Sequence, residues 1–262
     1  MRKLALSDEI LLKVDKAARY IGGEVNSVMK DKNEVEIRFA MCFPDVYEIG
    51  MSNLGMMILY NMFNQREDVW CERLFSPWPD LDKVMREKKI PLFALESQEP
   101  IRDFDFLGIT IGYEMCYTNI LQVLDLSGIP LKSADRGEDF PIVIGGGACA
   151  YNPEPLAPFF DMFYIGEGET VYDALFDAYK ANKKVGGSRR DFLLAAAKIP
   201  GIYVPSLYEV TYKEDGTIAS FAPTADGVPE KVQKQLIIDM EKEYRAVEAP
   251  VSYTHLTLPT IA

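Results

Sequence analysis

The residues best placed to do chemistry lie in two glycine-rich turns, Gly145-Gly146-Gly147 and Gly166-Glu167-Gly168-Glu169. A backbone without Cβ lets a ligand approach closely and lets peptide N–H groups converge on its carbonyl or anionic groups. Either turn alone reads more simply as a tight exit from a strand. Together, at one edge of one sheet, they favour a binding site. Neither has the G-x-G-x-x-G spacing of a dinucleotide fingerprint, and no P-loop Gly-Lys-Ser/Thr occurs. Glu167 and Glu169 would repel a pyrophosphate, so a neutral, amide-rich ligand fits better than a nucleotide. The loop 44–53 is long for a strand-to-helix connection and faces the same edge. In it Ser52 or Asn53 reads most simply as a helix cap, with Tyr47 and Met51 as candidate walls of a cleft. Gly112, Tyr113, Glu114 and Tyr117 follow a later strand, where aromatic side chains suit a large flat ligand or pack under a helix.

Several chemistries are excluded by composition. The single histidine, His255, lies in the last stretch of the chain, so neither a Ser-His-Asp triad nor a histidine metal site can be built from the rest. Asp103 and Asp105 straddle a strand start, where paired carboxylates are usually just solvated. The four cysteines, Cys42, Cys71, Cys116 and Cys149, lack the close spacing of zinc or iron–sulfur sites and read as buried free thiols. Self-sufficient catalysis is not expected; the chain binds, and something else reacts. A net charge of −12 opposes nucleic-acid binding by counterion release, and Arg189-Arg190 is too short to make a basic strip. No apolar run approaches the roughly 18–20 residues of a spanning helix, and no signal peptide opens the chain, so a cytoplasmic protein is expected.

The elements that must position these turns alternate in period. An amphipathic helix is expected over 7–21, closed by Gly22-Gly23. Strands are expected at 35–43, 69–74, 91–95, 104–111, 141–144 and 162–165, and helices at 52–65, 80–88, 118–126 and from 171 onward. Strand–helix alternation implies a doubly wound parallel sheet that binds ligands beyond the carboxyl ends of its strands. We place this α/β domain at 35–184, with a flavodoxin-like strand order as the simplest arrangement of five βα units, after a helical lead-in at 1–34. A small α+β appendage follows over 185–251: a helix at 191–198, an extended 202–205, a hairpin at 207–212 and 217–221 turning at Glu214-Asp215-Gly216, a strand at 232–240 and a charged linker at 241–245. The uncharged 252–262 contrasts with the rest and reads as a non-native tail.

A set of strings in fixed order gives a resemblance: Tyr20-Ile-Gly-Gly-Glu24, the 44–55 loop, Leu74-Phe-Ser-Pro-Trp78, Leu95-Glu-Ser97, Tyr117-Thr-Asn119, Gly145-Gly-Gly147, Asn152-Pro-Glu-Pro-Leu-Ala157 and Gly166-Glu-Gly-Glu169. It resembles the N-terminal region of uncharacterised bacterial radical SAM proteins with a cobalamin-binding-type domain, over nearly all of 1–251. The resemblance implies a flavodoxin-like domain that holds cobalamin at its carboxyl edge. In the intact parent it implies a barrel in cis, whose Cys-x3-Cys-x2-Cys motif binds a 4Fe–4S cluster and S-adenosylmethionine. That triplet is absent from this chain, which is therefore expected to be a truncated, non-catalytic cofactor module. Corrinoid domains that ligate cobalt carry Asp-x-His-x-x-Gly after the first strand, whereas 45–50 here has no histidine. Cobalamin would bind without histidine ligation, between Tyr47, Ser52, Asn53, Gly112, Tyr113, Gly145 to Gly147 and Gly166 to Glu169. The alternative is a scaffold or substrate-docking domain that has lost the cofactor, which a filled apolar crevice would favour. A flavin or nucleotide domain is disfavoured by the acidic turn.

Overall fold

All seven residues of the first strand, β1 (Ile37–Phe43), are buried, so the strand must be covered on both faces. A computed structural model describes residues 3–239, 241 and 248–251 and shows the covering. Ile37, Phe39, Met41 and Phe43 enter one apolar cluster, and Ala40 and Cys42 enter another across the sheet, as a two-residue period requires.

Before β1 come two short helices, α1 (Asp8–Leu11) and α2 (Ala18–Ile21). After it follow α3 (Tyr47–Met51), α4 (Leu54–Asn64), β2 (Val69–Phe75), α5 (Pro79–Lys88), β3 (Phe106–Thr110), α6 (Tyr117–Leu126), β4 (Ile142–Gly146) and β5 (Met162–Tyr164). The chain continues through α7 (Tyr172–Lys184), α8 (Arg189–Ala196), β6 (Ile202–Tyr203) and a hairpin of β7 (Tyr208–Tyr212) and β8 (Ile218–Pro223). The sheet order is β2-β1-β3-β4-β5-β6. The first five strands run parallel, in the flavodoxin-like order expected, and β6 closes the edge antiparallel to β5. Helices α4, α7 and α8 cover one face; α5 and α6 cover the other.

Several expectations need correction. The helix expected over 7–21 is broken between α1 and α2, because the backbone N–H of Asp15 turns to the Asp80 carboxylate at 2.8 Å and Leu12 is left exposed. Residues 91–95 do not form a strand. They are apolar because Leu92, Phe93, Ala94 and Leu95 are buried, while their backbone bonds go to Leu126, Glu99 and Arg73 and only a single Phe93–Pro100 bridge forms. The extended 202–205 is more than appendage, since β6 belongs to the main sheet. Over 232–239 only Gln235 is bridged, to Gly166: β6 already occupies the free side of β5, so this segment reaches only the turn beyond it. Asp105 is not simply solvated; it accepts from Arg38 N, Tyr179 Oη and Lys183 Nζ. Met240, the linker beyond Glu241, and the whole of 252–262 with His255 lie outside the described residues.

Strand β2 is a sheet edge, yet all seven of its residues are buried, Glu72 and Arg73 included. The lead-in segment covers it. Trp70 Nε1 donates to Val28 O at 3.0 Å, Val28 N donates to Tyr60 Oη at 2.7 Å, and Lys30 Nζ donates to the carbonyls of Asn64, Arg66 and Val69. The outward-facing backbone groups of the strand are taken by Lys30 on Val69 O, the Asn64 amide on Cys71 N and O, Glu96 on Arg73 N and Leu95 N on Arg73 O, which protects the edge. The charges in β2 are paired. Arg73 bridges Glu24 and Glu96, and Arg38 bridges Glu72 and Glu99 while its guanidinium lies 4.0 Å from the Phe104 ring centroid.

Burial pushes the phenols of Tyr60, Tyr172 and Tyr179 well above their ordinary range, with nearby carboxylates adding to the shift for Tyr60 and Tyr179. A raised folded-state value stabilises the protein fully below the unfolded value of about 10, and the contribution is lost as pH rises beyond it. Urea unfolding is therefore expected to show a falling midpoint above about pH 10, in step with tyrosinate absorbance appearing only on unfolding. Tyrosinate that titrates fully in the folded protein near its ordinary value would contradict this burial.

Candidate functional site

The carboxyl ends of β1, β3, β4 and β5 open into a cleft of about 240 Å³. Its floor is Met41, Ile109 and Ile144; Leu59 of α4 and Tyr164 and Tyr172 wall it. Polar groups enter from three elements: Thr110 at the end of β3, Asn53 before α4, and Glu169 in the loop before α7. Gly55, Gly108, Gly146, Gly147, Gly166 and Gly168 complete the lining.

The glycines differ in why they are glycine. A Cβ on Gly146 would meet nothing within 4 Å, and neither would one on Gly112, so the chain's own packing does not require glycine at either. Gly147 has φ +103°, and a Cβ there would lie 2.9 Å from Ile111 O, so backbone conformation and a close approach both demand glycine. The loops after β3 and β4 are stitched at this point, Ile111 N donating to Gly146 O at 2.6 Å and Cys149 N to Ile111 O at 3.0 Å. The result is a rim made of bare backbone. Gly145 is packed away instead, its Cβ position lying 2.8 Å from both Ile111 and Phe163.

The second turn serves two sides. Gly166 and Gly168 line the cleft, but a Cβ on Gly166 would sit 2.4 Å from Gln235 O, and one on Gly168 2.9 Å from Leu59. Gln235 N donates to Ile165 O at 3.0 Å, Glu167 N donates to Gln235 O at 3.1 Å, and the Glu167 carboxylate accepts from Ile237 N. Glu167 is thus committed to the 235–237 segment, and Glu169 faces the cleft.

Of the residues singled out from sequence, Asn53, Gly146, Gly147, Gly166, Gly168 and Glu169 come together here. Tyr47, Ser52, Gly112, Tyr113, Gly145 and Glu167 are not among the lining residues. Ser52 caps the end of α3, its Oγ donating to Ile49 O at 2.7 Å. Tyr113, partly exposed, donates to Asp45 Oδ2 at 2.6 Å, and this bond to a carboxylate pushes its phenol up to about 12. Tyr47 points the other way, donating to Glu24 Oε1 at 2.8 Å beside Arg73. Sequence reading missed Met41, Leu59, Gly108, Ile109, Thr110, Ile144, Tyr164 and Tyr172. Gly108-Ile109-Thr110 at the carboxyl end of a buried strand was the signal available for three of them.

The strings outside the cleft have a second meeting place. Glu24, Tyr47, Arg73 and Glu96 form one buried network. Burial alone would raise the Glu24 carboxyl, but the Arg73 charge and the hydrogen bonds it accepts hold it below its usual range. Among the described residues no group of three or more His, Cys, Asp or Glu could hold a metal ion, and no helix is long and apolar enough to cross a membrane.

A doubly wound sheet with a cleft at its carboxyl edge places this chain among α/β folds, in which that edge is the usual place for a ligand. The chain belongs to the family of radical SAM proteins, N-terminal region, whose model matches residues 55–205. It is 26% identical over 131 residues to the uncharacterised protein MJ0966 of Methanocaldococcus jannaschii, covering 50% of this chain and 24% of that protein. It is also similar to two structures of the cobalamin-dependent S-adenosylmethionine radical enzyme OxsB. With aqua-cobalamin and S-adenosylmethionine bound, the identity is 14%, the TM-score 0.42 and the coverage 92% of this chain and 30% of that one. With aqua-cobalamin alone, the identity is 14%, the TM-score 0.41 and the coverage 84% and 28%. The chain therefore spans about a quarter of the archaeal relative.

Proposed function

We propose that this chain is the cofactor module of a radical SAM enzyme, holding cobalamin at the carboxyl edge of its sheet for a cluster-bearing barrel in cis. The observation that carries the reading is the backbone rim at Gly146 and Gly147, which line the cleft. At Gly146 the side-chain space is open, and the fold itself gives no reason for glycine there. A corrin macrocycle, far larger than 240 Å³, would lie over this rim, with one peripheral arm entering the cleft. The cleft is neither filled nor lined by apolar groups alone, which disfavours the scaffold alternative.

The chain's own residues would bind and orient. Met41, Ile109, Ile144 and Leu59 would exclude water from the entering arm, and Asn53, Thr110 and Glu169 would fix its polar end. Met51 is engaged by Arg73 Nη1 at 3.1 Å, and Tyr47 by Glu24, so neither is offered as a cobalt ligand; the binding would be free of histidine ligation. When bound, cobalamin would supply methyl relay or tune radical chemistry. The 4Fe–4S cluster and S-adenosylmethionine need a cysteine triplet that this chain does not carry, so radical generation belongs to the parent's barrel.

Titration of the purified chain with hydroxocobalamin is expected to give saturable binding by calorimetry, with a matching change in visible absorbance. Heat and absorbance that both stay flat to millimolar ligand would defeat the reading.

A further inference from the structure

Besides the phenols of Tyr164 and Tyr172, the cleft is lined by three polar side chains of unlike kinds, Asn53, Thr110 and Glu169, and two of these three have capacity that the fold does not use. Asn53 is the N-cap of α4: its Oδ1 accepts from Met56 N at 2.9 Å, and this fixes the amide so that Nδ2 is left as a donor. Glu169 lines the same cleft, half-buried, with no hydrogen bond or ion pair to any described residue. The other acidic side chain of the turn, Glu167, is taken by Ile237 N. The cleft thus offers one N–H donor and one acceptor-only carboxylate within 240 Å³.

We propose that Asn53 and Glu169 are specificity-determining residues that select an arm ending in a primary carboxamide, Asn53 Nδ2 donating to its carbonyl and Glu169 accepting from its NH2. The inference rests on the cofactor reading above. The corrinoid periphery carries such arms, and a carboxylate or phosphate in the same place would face Glu169 with like charge and no proton to share. The pair also accounts for how an acidic turn can serve a ligand site: the carboxylate is an acceptor for a neutral donor.

The test compares hydroxocobalamin with its three monocarboxylic acids, each having one propionamide arm hydrolysed to propionate, by calorimetric titration at neutral pH. Wild type is expected to bind at least one isomer about tenfold or more weakly than the parent, the size of a lost charge-assisted hydrogen bond. In Glu169→Gln the penalty for that isomer should vanish, because glutamine can donate to the propionate, while the other two isomers are unaffected. Asn53→Asp keeps the helix cap and removes the donor, so thermal stability should hold while the parent corrinoid binds about five- to tenfold more weakly. Equal affinity of all three isomers and the parent, or a penalty that survives Glu169→Gln, overturns the inference while leaving the cofactor reading in place. Failure of every corrinoid to bind wild type overturns both.

Discussion

Arg73→Met is expected to cost about 3–5 kcal/mol of stability, the range for breaking a buried ion pair from one side. The Arg73 side chain is completely buried. Its Nε lies 2.6 Å from Glu96 Oε1, its Nη2 lies 2.7 Å from Glu24 Oε2, and its guanidinium sits over the Tyr60 ring. Removing it takes the shared guanidinium away from two carboxylates that are only 6% and 1% exposed. The cost is that of stranded charges rather than of lost attraction. The triple variant Arg73→Met, Glu24→Gln, Glu96→Gln should therefore recover much of the loss. Urea unfolding with an unchanged slope measures both. A loss below about 1 kcal/mol for the single variant would mean that water reaches the network and that the lead-in is not clamped by it. Acid adds a second readout. Glu24 is held below its ordinary value, so it stabilises the fold above about pH 4.5 and the contribution is lost as pH falls through the folded-state value.

Gly146→Leu is expected to abolish corrinoid binding, a loss of more than about a hundredfold, or about 2.7 kcal/mol, while the protein melts close to wild type. The side chain would begin in open space, since no atom lies within 4 Å of the Cβ position, and would extend into the cleft that the ligand needs. Gly147→Ala provides the contrast one residue on. Its φ of +103° and a Cβ 2.9 Å from Ile111 O make it a stability variant, costing on the order of 1–3 kcal/mol whether or not ligand is present. Calorimetry and thermal melts on the two variants separate a position open to ligand from one required by the chain. Undiminished binding by Gly146→Leu would remove the rim from the site.

Within the 145–147 run the sequence shows three identical residues, and only tertiary packing separates their roles. Gly145 yields to Ile111 and Phe163, Gly146 to open space and Gly147 to its own φ. The acidic turn divides likewise, Glu167 being taken by the 235–237 segment and Glu169 left in the cleft. These assignments depend on which backbone passes within a few ångströms, and that partner can be 70 residues away, as Ile237 is from Glu167.

Local pattern was sufficient where burial and period act along the chain. The strand at β1, a helix cap at Ser52 or Asn53, the strand–helix alternation and the carboxyl-edge position of the glycine turns were all legible, because each is dictated by neighbours within a few residues. The same reasoning misread 91–95, since an apolar run records burial and not its hydrogen-bond partner. Tertiary structure alone decided that Glu24, Tyr47, Arg73 and Glu96 form a buried clamp rather than a wall of the site. It also decided that Asn53 and Glu169 face one cleft. Charge pairing and cleft geometry depend on long-range approach, which side-chain type and spacing do not encode locally.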